Sequence, residues 1–135
     1  MKNLMLWSTI LLSLFTSCMD ITDSRGIITH NKSNNSIYCF YLQHDLTKDS
    51  VPQYSFPPHE TKAKEEDINL IVKPHWEEYI KTCDNQKLRY YIIEKDTVDK
   101  YGWETIFSNN IYNKKYLFTV EELDHLNWTI TYEGN

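Results

Sequence analysis

The chain opens on an apolar run from Leu4 to Phe15, interrupted only by Ser8, Thr9 and Ser13, and continues as a mosaic of short apolar and polar blocks. The opening run has twelve residues, too few to cross a hydrocarbon core, which takes about 20. Lys2 stands ahead of it and the small residues Thr16 and Ser17 follow, the make-up of a secretion signal's hydrophobic segment. Beyond it the pattern predicts strands at Ile27–Thr29, Ile37–Leu42, Asp67–Lys73, Leu88–Ile93, Tyr116–Phe118 and Trp128–Tyr132. The segment 37–42 is apolar on both faces and so belongs at the centre of a sheet, Ile68, Leu70 and Val72 share one face, and Leu88–Ile93 is the strongest strand. In the last strand Trp128, Ile130 and Tyr132 point inward and Thr129 and Thr131 outward.

Three stretches carry helical signals instead. Pro74 opens a helix whose Trp76, Tyr79, Ile80 and Cys83 form one stripe at i, i+3, i+4 and i+7. Val98 to Phe107 places Trp103, Ile106 and Phe107 on one side, with Thr97 positioned to cap the first turn. Thr119-Val-Glu-Glu122 matches a capping box and starts a short helix through Leu126. Asn31–Ser36 is a turn, and His44–Lys64, carrying Pro52, Pro57 and Pro58, is a long polar connection with a brief edge strand near Tyr54. No strict β-α-β alternation occurs, so the expectation is an α+β fold, mainly β. It would be an antiparallel sheet or sandwich of about six strands with two or three short helices.

Cys18 directly follows the small residues. Leu14-Phe15-Thr16-Ser17-Cys18 resembles the lipobox of bacterial lipoproteins, with Phe15 where that pattern prefers leucine. The resemblance implies cleavage after Ser17, diacylglycerol on the Cys18 sulfur, and usually a third acyl chain on the new amino group. Each buried CH2 contributes roughly 0.8 kcal/mol of membrane affinity, so two or three chains anchor stably. The chain then divides into a signal peptide (1–17), a lipidated tether (18–26) and one globular β-rich domain (27–135).

Charge narrows the partners. Removing Lys2 from 14 basic residues leaves 13 against 19 acidic ones, a formal charge of −6 for the processed chain. An acidic surface argues against nucleic acid, whose phosphates are bound by Lys and Arg. With Cys18 acylated, Cys39 and Cys83 remain. Export to an oxidising compartment allows a Cys39–Cys83 disulfide, while their apolar surroundings suit two buried, unbonded thiols.

The run from Asp96 through Gly102-Trp-Glu-Thr-Ile106 to the terminal Phe118-Thr119…Leu123…Leu126-Asn-Trp-Thr-Ile-Thr-Tyr132 is similar to a group of small uncharacterised lipoproteins of Bacteroidetes-type bacteria. Trp76-Glu77 and the Asn/Ser-rich first hairpin match as well, and Phe118 replaces the group's usual leucine. The resemblance implies envelope location, most naturally the outer membrane, and no particular activity. Asp49-Ser-Val51 and Asp96-Thr-Val98 are similar to the O-glycosylation sequon of that bacterial group, which makes Ser50 and Thr97 acceptor candidates.

Catalytic patterns are missing. His30, His44, His59, His75 and His125 show no metal-binding spacing, and His59-Glu60 lacks the second histidine of a zincin. Gly26, Gly102 and Gly134 build no phosphate loop, dinucleotide fingerprint or nucleophile elbow. Cys83 and His75 are eight residues apart, without a visible oxyanion site. Glu77-Glu78 and Glu121-Glu122 are sequence neighbours that point different ways. The aromatic residues mostly follow the core pattern; Tyr54, Phe56 and Tyr112 lie in loops and are the candidates for an exposed binding patch. The expectation is a non-enzymatic envelope module needing no cofactor and binding a protein or glycan. A carbohydrate-binding accessory lipoprotein is the alternative.

Overall fold

The computed structural model describes residues 24–47, 57–64, 68–73 and 75–134. Within them the chain forms β1 (Gly26–Asn31), β2 (Ile37–Leu42), β3 (Glu60–Thr61), β4 (Ile68–Val72), α1 (Trp76–Lys81), a 3-10 turn (Asp84–Gln86), β5 (Leu88–Glu94), α2 (Lys95–Asn109), β6 (Lys114–Phe118), α3 (Val120–His125) and β7 (Thr129–Tyr132). The fold is α+β and mainly β, with seven described strands in two sheets. One sheet runs β4-β1-β7 and the other β3-β2-β5-β6. Every pairing is antiparallel except β1 with β7, which is parallel.

The sheets stack across one core, and α2 covers the far side of the larger sheet with a second. Ile27, Ile130 and Tyr132 from one sheet meet Ile37, Cys39, Leu88, Tyr90, Ile92 and Phe118 from the other, with Trp76, Ile80, Leu123 and Trp128 closing one end. On the opposite face Phe40, Tyr91 and Ile93 pack against Ile106 and Phe107 of α2. The two architectures expected from sequence are thus combined: a sandwich, with a helix laid over one of its sheets. Strand β5 is buried along both faces from Leu88 to Ile93, as a run that is apolar except for Arg89 requires, and each aliphatic side chain such as Leu88, Ile92 or Ile93 removed from water stabilises the fold by about 1.5–3 kcal/mol.

Polar groups inside these layers are paired. Thr29 and Tyr90 hydroxyls meet at 2.6 Å between the sheets. At the end of β1 the buried Asn31 carboxamide holds the following turn: its Oδ1 accepts from Ser33 N at 3.0 Å and Oγ at 2.7 Å, and its Nδ2 donates to Asn35 O at 2.8 Å. The Thr119 capping box is present, with Glu122 N donating to Thr119 Oγ1 at 3.1 Å and Thr119 N to Glu122 Oε2 at 2.8 Å.

Several expectations are corrected. In β4 the register sets Ile71 opposite the fully buried Ile27 and Leu70 opposite Ile28. Ile71 therefore packs against the core, while Leu70 is 56% exposed. A strand apolar at consecutive positions does not reveal its inner face by periodicity. The helix expected from Val98 starts earlier, at Lys95, and the extended Glu94 occupies its cap position. Thr97 therefore lies inside the first turn and is not its cap; its hydroxyl donates to Asn113 Oδ1 at 3.0 Å. That same oxygen accepts from Glu94 N at 2.9 Å. Gly102 breaks α2 into two pieces with φ 71° and ψ 155°, a backbone state that glycine alone adopts cheaply. The expected helix start at Pro74 and edge strand near Tyr54 lie outside the described residues.

Candidate functional site

Of the expected site residues, the described ones are Cys39, Cys83, Thr97 and Tyr112. Cys18, Ser50, Tyr54 and Phe56 lie outside the described residues. Thr97 is half-buried and hydrogen-bonded as above. Cys39 and Cys83 are both buried and unbonded, so of the two alternatives for this pair the structure has free thiols and no disulfide. Burial pushes the Cys39 thiol up to about 12, against small opposing contributions from the Tyr90 and Thr29 hydroxyls. Burial likewise raises Cys83 to about 11, and its sulfur donates to Tyr79 O at 3.5 Å. Since the thiolate is the nucleophile, burial disfavours the reactive form of both cysteines.

Tyr112 is the one expected aromatic whose surroundings are described, and it is 38% exposed. Its ring stands edge-on to Tyr91 at 5.5 Å between centroids. The Lys115 ammonium lies 5.9 Å from the Tyr112 ring and binds Asp45 Oδ1 at 2.8 Å. Cross-strand register explains why these groups meet: Tyr91 opposes Lys115, and Arg89 opposes both Leu117 and Leu42. All of them lie on the α2-side face of the larger sheet, beyond the part covered by Ile106 and Phe107. Leu117, 44% exposed, extends this surface.

Arg89 was not singled out by sequence reasoning, yet it organises the patch. It is only 5% exposed. Its Nη1 donates to Asp84 O and, at 2.6 Å, to Lys87 O. Its Nε approaches Asp45 Oδ1 at 3.4 Å. Asp84 also meets His44, with Nδ1 and Oδ1 at 2.8 Å. The available signal was a charged residue within a run buried on both sides, because a buried guanidinium has to be paired and hydrogen-bonded. The hydrogen bond from Lys115 is the largest influence holding the Asp45 carboxyl below the usual carboxylate range, and the same bond raises Lys115. The pair is therefore ionised at neutral pH.

Chemically the patch is an exposed ring flanked by a paired carboxylate, an ammonium and an apolar side chain. Among the described residues no group of three or more His, Cys, Asp or Glu is placed to hold a metal ion, and no helix is long and apolar enough to cross a membrane. The chain matches no known protein family, and no curated protein or solved structure is similar to it.

The thiols give a direct check. Folded protein treated with a disulfide-exchange reagent at mildly alkaline pH should show no fast reaction at Cys39 or Cys83. Unfolding in guanidinium without reductant should release both. Silence after unfolding would mean that the two are bonded.

Proposed function

We propose that the protein is a lipid-anchored envelope lipoprotein of the Bacteroidetes type, cut after Ser17, acylated at Cys18 and held at the outer membrane, whose domain binds or assembles and does not catalyse. The observation that carries this reading is the sequence from the twelve-residue apolar run through Leu14-Phe15-Thr16-Ser17 to Cys18. The non-catalytic part is supported by two protonated thiols and by an arginine committed to carbonyl and carboxylate partners. A nucleophile needs a positioned base and an activated state. The acidic composition favours protein or glycan partners over nucleic acid.

Tyr112 favours one version of this reading, a carbohydrate-binding accessory lipoprotein. An exposed ring beside a fixed Asp45–Lys115 pair combines an apolar stacking face with hydrogen-bonding groups for hydroxyls, the mixture typical of small-ligand sites. Leu117 and Tyr112 together serve equally as the apolar centre of a protein contact.

Two variants divide these ideas. Cys18→Ala should abolish incorporation of labelled fatty acid and leave the uncut precursor. Normal labelling of that variant would refute the anchor. On a glycan array, Tyr112→Ala should weaken any bound glycan about tenfold, which is about 1.4 kcal/mol. Binding that is indifferent to Tyr112 would rule out this patch as the glycan site.

A further inference from the structure

Where the chain enters the domain, Arg25 is held by both of the helices that close that end. Its guanidinium lies over the Trp128 ring, 4.9 Å from the centroid. It pairs with Glu77 of α1 and, at 3.4 Å, with Asp124 of α3. Its own carbonyl accepts from Trp76 Nε1 at 2.8 Å. Trp128 Nε1 donates to the same Asp124 oxygen at 2.8 Å, and the two indoles pack 5.5 Å apart. An arginine that is stacked, ion-paired and fixed through its carbonyl cannot act as a swivel, so the direction of the chain is set from Arg25 onward.

This clamp sits at one pole of the sandwich. Gly26 begins β1 there, beside the end of β4 at Val72, and Ile28 pairs with Thr129 at the start of β7. The exposed Leu126 lies at the end of α3 on the same pole. The Asn31–Ser36 turn marks the opposite pole, about 20 Å of strand away. From Cys18 to Arg25 the chain spans at most about 25 Å when fully extended. Bringing the far pole to the lipid would use nearly all of that reach and oppose its entropy.

We infer that the α1–α3 pole is the surface the domain turns toward the lipid, with Leu126 at the bilayer interface and the Asn31–Ser36 turn facing away, and that the Arg25 clamp maintains this orientation. The inference rests on the reading of Cys18 as the lipid site. It adds the lipid surface as a partner for a particular face of the domain.

The test uses the lipidated full protein in phosphatidylcholine vesicles that contain a nickel-chelating lipid. A nitroxide is attached to the folded protein at Leu126→Cys or at Asn34→Cys. Mass of the Cys18 peptide and flotation with vesicles are measured first. An unacylated, non-floating protein refutes the anchor and this inference with it. For floated protein, relaxation of the label by nickel should be several-fold stronger at 126 than at 34. Arg25→Ala should bring the two toward equality, and Arg25→Lys, which keeps the charge without the planar stack, should lie between. Equal relaxation at both positions in otherwise native, floated protein overturns the orientation and leaves the anchor standing. A native difference that both Arg25 variants preserve overturns the role of the clamp.

Discussion

Strand β5 has to bury two faces at once. Leu88, Tyr90 and Ile92 point to one side and Tyr91 and Ile93 to the other, all essentially without solvent contact. A single sheet with one solvated face leaves half of these side chains in water. The chain meets the demand with a second sheet on one side and α2 on the other, and the remaining elements follow from that layering. Strands β1 and β7 lie side by side as the lid over the inner face of β5, and they run parallel because both start from the end that α1 and α3 close. The short helices α1 and α3 fill the end of the sandwich where the two sheets part, with Trp76 and Trp128 in contact.

Such layering is costly for polar groups, and the structure pairs those it traps. The Thr29–Tyr90 bond links the sheets where neither hydroxyl reaches water. The Asn31 carboxamide takes the place of solvent for the turn that follows it. Arg89 lies at the edge of the second core and distributes its donors over two carbonyls and Asp45. Leaving one such group unpaired costs about 1–3 kcal/mol, so these residues fix the register of the layers as well as their stability. Outside these layers, at the rim, Tyr112, Lys115, Asp45 and Leu117 remain accessible to solvent.

Much of this architecture was legible in the sequence because local signals and tertiary demands agree. The Ile37–Leu42 strand coincides with its expected limits, β5 extends its expected run by one residue, and Trp128, Ile130 and Tyr132 are all buried as expected, although β7 begins only at Thr129 because Trp128 has a left-handed backbone with φ 57°. The Thr119 box is decided within one turn of chain. What was not legible depends on distant partners. The inner face of β4 is chosen by its register with β1, the start of α2 by Asn113 gathering the Glu94 amide and the Thr97 hydroxyl, and the break in α2 by the backbone of Gly102. The patch beside Tyr112 was half visible: the exposed ring followed from its loop position, but Arg89, Asp45 and Lys115 are brought together only by pairing across β2, β5 and β6.

Native-state hydrogen exchange tests the central place of β5 most directly. Amides of Tyr90, Tyr91 and Ile92 should exchange only through global unfolding, with a denaturant dependence equal to that of the whole domain, while amides of β4 and of the Asn31–Ser36 turn open through smaller fluctuations. Exchange of the β5 amides by local opening, with little dependence on denaturant, would contradict the account, because a strand clamped between two cores has no local route to water.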